Sequence, residues 1–194
     1  TWSGYQAGAF DQVDFYSFSS GADINAFGYF QFDLSSLSGL TINSVTLTLT
    51  KVSANADYEG FGSHSTRNDA LTTDRVNLYG LTDAAGNTPQ NWTEGLSYSA
   101  TGAEMDQAGN ANFATDPFDV ASGRAVDFSA LDTLSGGTTI TLTGASVASF
   151  VQGRVNADGR VTFLLDMNAT GRGSAVYSRE AASGQPLLSI DYTP

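Results

Sequence analysis

The chain reads as an all-β protein: one antiparallel β-sandwich, jelly-roll-like, spanning residues 1–194, with one short helix. Three observations predict this. Short runs with period-two alternation recur along the chain. Glycine is abundant (21) while proline is sparse (4), which suits short strands joined by tight turns. A single stretch abandons that period for a helical one. At 194 residues and 41% hydrophobic content, one large sandwich with a real core fits better than two domains.

The strands follow in order. "DQVDFYSF" (11–18) is the first. "FGYFQFDL" (27–34) puts Phe30, Phe32 and Leu34 on one face, and Tyr29, Gln31 and Asp33 on the other. A turn-rich link leads to "NSVTLTLTKV" (43–52), where Val45, Leu47 and Leu49 alternate with Thr46, Thr48 and Thr50, as in a half-buried antiparallel strand. Further strands are predicted over 74–81, 124–129, 138–143, 161–167, 174–179 and 186–192.

"GASVASFVQGRV" (144–155) breaks the alternation. Val147, Phe150, Val151 and Val155 fall on one helical stripe, with Ser146 as the expected cap, and the helix is expected to plug one end of the sandwich. "NADG" (156–159) reads as a tight turn after it. Residues 53–73 and 82–123 read as long loops, where a rigid β-scaffold usually carries its function.

Composition excludes several classes of function. The net charge is −12 and Lys51 is the sole lysine, so nucleic acid and anionic membranes are unfavourable partners. No apolar run is long enough for membrane insertion. Cysteine is absent, so no disulfide or thiolate metal site exists. The acidic, lysine-poor surface fits work outside the cell in salty water. The start at Thr1, without Met, suggests a processed or excised fragment.

Four motifs in order resemble a known family. They are "GYFQFDLSSL" (28–37) leading into "TINSVTLTLTKV" (41–52), "VNLYGLTDAAGNTPQNWTEGLSY" (76–98), "GASVASFVQGRVNADGRVTFLL" (144–165) and "YSREAASGQPLLSIDY" (177–192). Together they resemble the DNRLRE-type bacterial extracellular modules, which include alginate-binding carbohydrate-binding modules. The chain departs from that pattern in "YQAGAFDQVDFYSF" (5–18) and around Gly153 to Val155, where the family's Trp is missing. The resemblance implies a jelly-roll sandwich that binds polysaccharide and performs no catalysis. It implies secretion or display at the bacterial cell surface, attached to a polysaccharide-degrading enzyme or a surface protein. The alternative is a structural or adhesive sandwich of a secreted surface protein.

The candidate ligand-binding residues are Tyr58, Phe61, His64, Arg67 and Asp69 of the 53–73 loop, joined by Trp2 and Tyr5 if the N-terminus folds nearby, and by Arg172 in a second loop. Aromatic rings can pack on the C–H faces of sugars, while Arg and Asp can bind paired hydroxyls. The bland reading makes these aromatics loop-packing residues. His64 is the single histidine, and a Ser-His-Asp site would need it beside Ser63 or Ser65 and Asp69, but no G-x-S-x-G elbow occurs. Among 20 acidic residues, no carboxylate pair stands out as glycosidic machinery.

Secreted binding modules often hold a structural calcium ion. Asp106, Asn110, Asn112, Asp116 and Asp119 concentrate oxygen ligands in one stretch without EF-hand spacing, and a solvated acidic loop is the equal alternative.

The structural candidates are Asp33, Trp92, Glu94, Arg179 and Glu180. Trp92 and Glu94 could stack on and hydrogen-bond a sugar, but the resemblance makes that segment structural. Read as neighbours in a strand, Arg179 and Glu180 point to opposite faces and cannot pair. Asp33 is then the expected partner of a buried Arg179, and Glu180 would accept backbone N–H groups of a neighbouring loop.

Overall fold

The computed structural model describes residues 12–17, 28–52, 75–82, 123, 125–129, 131, 138–167 and 172–194. The strands are β1 (Gln12–Ser17), β2 (Gly28–Asp33), β3 (Thr41–Thr50), β4 (Val76–Leu81), β5 (Ala125–Asp127), β6 (Thr139–Thr143), β7 (Arg160–Met167), β8 (Arg172–Tyr177) and β9 (Leu187–Thr193). The one α-helix among the described residues, α1 (Ala145–Ala157), separates β6 from β7. Every strand expected from the alternation is present. No described helix is long and apolar enough to cross a membrane.

The pairing is nested and wholly antiparallel. β1 pairs with β8, β2 with β7, β3 with β6, and β4 with β5. This winding of eight strands is that of a jelly roll. β4 also pairs with β7, giving a sheet of order β2-β7-β4-β5. β9 is an addition to the eight, and it pairs with β3 in a sheet of order β6-β3-β9.

The β1–β8 ribbon joins that second sheet just beyond the end of β3. Val176 bridges Lys51, and the Val52 N–H donates to the Ala175 carbonyl at 3.0 Å. Leu187 at the start of β9 stands opposite Thr48. β8 and β9 therefore lie end to end along one edge of β3, with residues 178–186 as an excursion between them.

The core lies between the two sheets. Val45, Leu47 and Leu49 of β3 face Phe30, Val161, Phe163, Leu165, Val76 and Leu78. Removing each such side chain from water contributes about 2 kcal/mol. On the solvated side of β3, Thr46 donates to Thr143 at 3.2 Å, and Thr143 donates to the Val45 carbonyl at 2.9 Å.

β7 departs from simple alternation: Val161 through Leu165 are all buried. It is an inner strand packed on both faces. Val161, Phe163 and Leu165 enter the main core, while Leu164 forms a second small cluster with Leu81 and Ala125.

α1 lies against β3, β6 and β7 and so links the two sheets. Val147, Phe150, Val151 and Val155 are buried in the core, as their spacing predicts. The expected Ser146 cap is corrected. Gly144 occupies the N-cap with no side-chain cap bond, and its carbonyl accepts the Ala148 N–H at 3.1 Å, while Ser146 is exposed. The helix also continues into the predicted turn. The Arg154 carbonyl accepts the N–H groups of Asp158 and Gly159 at 3.2 and 2.9 Å, and Gly159 takes the left-handed φ of 76°.

Phe150 completes an aromatic cluster. Its ring centroid is 5.6 Å from Phe128 and 5.7 Å from Phe163, both edge-to-face. Gly80 makes the space: a Cβ there would sit 2.6 Å from the Phe150 ring.

Candidate functional site

The face of the β2-β7-β4-β5 sheet turned away from the main core carries two half-buried tyrosines around a buried centre. One rung crosses all four strands. Tyr29 stands opposite Leu164, Leu164 opposite Tyr79, and Tyr79 opposite Asp127. Leu164 is fully buried, and the two half-buried tyrosines pack against its cluster. With strands about 4.8 Å apart, their backbones lie about 10 Å from each other.

Neighbouring positions on this face include the half-buried amides Gln31 and Asn77, the buried Thr162 and Leu81, and the exposed Arg75 and Arg160. Gln31 lies opposite Thr162 and donates to its hydroxyl oxygen at 3.1 Å. Asn77 occupies β4 two residues before Tyr79. Thr162 is itself fully buried, so the groups that can meet the C–H face and the hydroxyls of a sugar are the half-buried rings and amides.

Asp127 and Asp33 lie toward the margins. The Asp127 carboxylate accepts the Ser129 N–H at 2.8 Å, and the Ser129 hydroxyl oxygen in turn accepts the Leu78 N–H at 3.1 Å. Asp33 accepts the Ser35 N–H at 2.9 Å. That backbone bond, then the Ser35 hydroxyl, hold the Asp33 carboxyl below its ordinary range, with Arg160 adding a smaller pull against a slight opposing desolvation.

The expected Asp33–Arg179 latch is corrected. Asp33 is exposed, and its partner across the β2–β7 ladder is Arg160. Arg179 and Glu180 lie beyond the end of β8, in a turn, so the strand geometry that would separate them does not apply. The Arg179 Nε–H donates to Glu180 Oε1 at 2.7 Å, with the Arg179 side chain 69% exposed. Glu180 contributes its own N–H, donated to the Ser178 hydroxyl oxygen at 3.0 Å, and Gln185 Nε2 donates to the Arg179 carbonyl at 3.0 Å.

Among the described residues the buried arginine is Arg154 on α1, only 5% exposed. Its Nε–H donates to the Arg160 carbonyl at 2.9 Å, and its guanidinium pairs with Asp158. A second helix side chain, Gln152, accepts the Ile42 N–H at 2.7 Å and donates to the Leu40 carbonyl at 3.1 Å. It thereby pairs with the backbone where β3 begins.

The candidates Trp2, Tyr5, Tyr58, Phe61, His64, Arg67 and Asp69 lie outside the described residues. So do Trp92, Glu94, Asp106, Asn110, Asn112, Asp116 and Asp119. Arg172 opens β8, with its backbone opposite Ser17, rather than standing in a loop. Tyr29 and Tyr79 were absent from the sequence candidates, which favoured loops. Their signal is an aromatic on the polar parity of two strands, in "GYFQFD" and "VNLYGL". No protein-family model matches the chain, and no curated protein matches it.

Proposed function

We propose that this chain is a non-catalytic polysaccharide-binding domain and that the outer face of the β2-β7-β4-β5 sheet is its contact surface. The observation that carries the reading is the pair of half-buried rings, Tyr29 and Tyr79, held on rigid strands on either side of the buried Leu164, with the half-buried amides Gln31 and Asn77 beside them. The four motifs resembling DNRLRE-type modules support the same reading. The mechanism is proximity. A sandwich held on a polymer raises the local substrate concentration for an attached enzyme, or anchors an attached surface protein. Secretion and a structural calcium ion belong to the same proposal.

Co-sedimentation of the folded chain with a panel of insoluble polysaccharides, with and without calcium, tests it. Depletion from the supernatant by at least one polymer, reduced by Tyr79→Leu, is the expected result. No depletion by any polymer would leave the structural or adhesive alternative standing.

A further inference from the structure

The two outer strands of the β6-β3-β9 sheet differ in how far the core covers them. The core-facing residues of β6, Ile140 and Leu142, are 1% and 0% exposed. Those of β9, Leu188 and Ile190, stand opposite the buried Leu47 and Val45, yet are themselves only half-buried. Tyr192, next on the same parity, is 48% exposed, and Leu187 on the solvated face is 57% exposed. An apolar stripe is thus left open along the far edge of β9, and among the described residues no strand pairs with that edge. Sheet edges are normally blunted by lysine, proline, a bulge or a very short strand. β9 is seven residues long and contains neither lysine nor proline, and the register shift of its ladder falls in β3, between Ile42 and Ser44.

We propose that the occupant of this edge is a second copy of the same strand, paired antiparallel about a two-fold axis at Ile190. This register sets Ile190 against its own copy, Leu188 against Tyr192, Ser189 against Asp191 and Leu187 against Thr193. It uses the whole strand, closes the open stripe on itself, and places the single charge of β9 opposite a hydroxyl. A register centred on Asp191 would oppose two carboxylates, and one centred on Ser189 would leave Tyr192 and Thr193 unpaired. The product is one continuous sheet of order β6-β3-β9-β9-β3-β6. One strand pair is a small interface, and two copies of a −12 chain repel each other. The dimer is therefore weak, with a dissociation constant on the order of 100 µM, and tightens as salt screens the repulsion. This inference stands apart from the polysaccharide-binding reading.

Sedimentation equilibrium of the full chain, up to about 1 mM at low and high salt, tests it. A reversible monomer–dimer equilibrium favoured by salt is expected. Ser189 is exposed, so its variants leave the monomer's core alone. Ser189→Lys sets an ammonium opposite Asp191 of the second copy and should tighten the dimer about fivefold, whereas Ser189→Asp opposes carboxylates there and should weaken it about fivefold. Thr141→Lys and Thr141→Asp make the same charge changes on the exposed face of β6, and each should stay within about twofold of the parent. Circular dichroism confirms that each variant is folded. A chain that stays monomeric at every concentration and salt would overturn the proposal. A dimer that responds alike to the Ser189 and Thr141 variants would overturn the assignment to β9. Assemblies growing beyond the dimer would overturn the closed two-fold pairing.

Discussion

The Nε–H of Arg154, on the last turn of α1, donates to the carbonyl of Arg160 at the first position of β7. The same guanidinium pairs with Asp158 between them, and Asp158 also accepts the Arg160 N–H at 3.0 Å. A six-residue reversal from helix to strand is thus closed around one buried cation. Arg154→Ala should destabilise the protein by about 2–3 kcal/mol, through the lost hydrogen bonds and the lost packing of its aliphatic stem. Arg179→Ala, which breaks a solvent-exposed pair, should change stability by less than about 1 kcal/mol. Urea denaturation of the two variants checks the contrast. Equal losses would mean that the exposed Arg179–Glu180 pair holds more of the fold than its setting suggests.

Gly80 should resist enlargement. In Gly80→Ala the new methyl would meet Phe150 at 2.6 Å and Phe128 at 2.9 Å, and each of those rings is held by the aromatic cluster. The expected loss is about 1–3 kcal/mol. In a chain of this size that lowers the melting temperature by about 2–4 °C per kcal/mol. Differential scanning calorimetry gives the number, and an unchanged melting temperature would show that the rings repack freely.

Two glycines with similar backbone angles separate strain from crowding. Gly39 has φ 84° and no heavy atom within 4 Å of an added Cβ. Gly159 has φ 76°, an added Cβ there would sit 2.6 Å from the Ser35 Cα, and its carbonyl accepts the Leu34 N–H at 2.7 Å. Gly39→Ala should cost about 1–2 kcal/mol from backbone conformation alone. Gly159→Ala should cost at least about 1 kcal/mol more, because backbone must move. Guanidinium titration of both variants would reject this ordering if Gly39→Ala proved the worse.

Asp33 supplies a small acid-sensitive contribution. Its folded carboxyl titrates below the ordinary 3.8, chiefly through the Ser35 N–H. A lowered folded value favours the folded state wherever the carboxylate is ionised. The contribution is full above the unfolded value and disappears as pH falls through the folded one. The stability gap between the parent chain and Asp33→Asn should therefore be constant near neutrality and shrink below pH 3.8. Denaturant titrations at a series of acid pH values test the sign, and a gap that widens on acidification would reverse the assignment.

Much of the fold was legible in the sequence because it is written in period two. Strands such as "VTLTLT" have one buried and one solvated face, and parity alone orients them. β7 was legible as a strand but not as one buried on both sides, since its position between β2 and β4 is a property of pairing across the chain. The tight turn at 156–159 became a helix end because Arg154, read as an interruption of a motif, caps the reversal from within. Arg179 and Glu180 misled because β8 stops at Tyr177, and neighbouring side chains that cannot meet in a strand do meet in a turn. The tyrosine rung was hidden because Tyr29 and Tyr79 are 50 residues apart, and only their shared neighbour Leu164 brings them onto one line. Nothing in the helix pattern singles out Gln152, because its bonds to Leu40 and Ile42 depend on where the helix lies against β3.

The nesting of β4–β5 within β3–β6, β2–β7 and β1–β8 has a kinetic consequence. Each inner pair, once formed, shortens the free chain that the next pair must close, so loop-closure entropy favours assembly from the middle outward. The outermost β1–β8 ribbon should therefore gain hydrogen-exchange protection last during refolding, which should take milliseconds to seconds for so many distant contacts. Pulse-labelled refolding should find β4 and β7 amides protected ahead of those in β1 and β8, whereas simultaneous protection of all four would point to a single concerted collapse. A nascent chain of this topology keeps its first strand unpaired until β8 has been made, and its final strand, β9, then completes the free edge of β3.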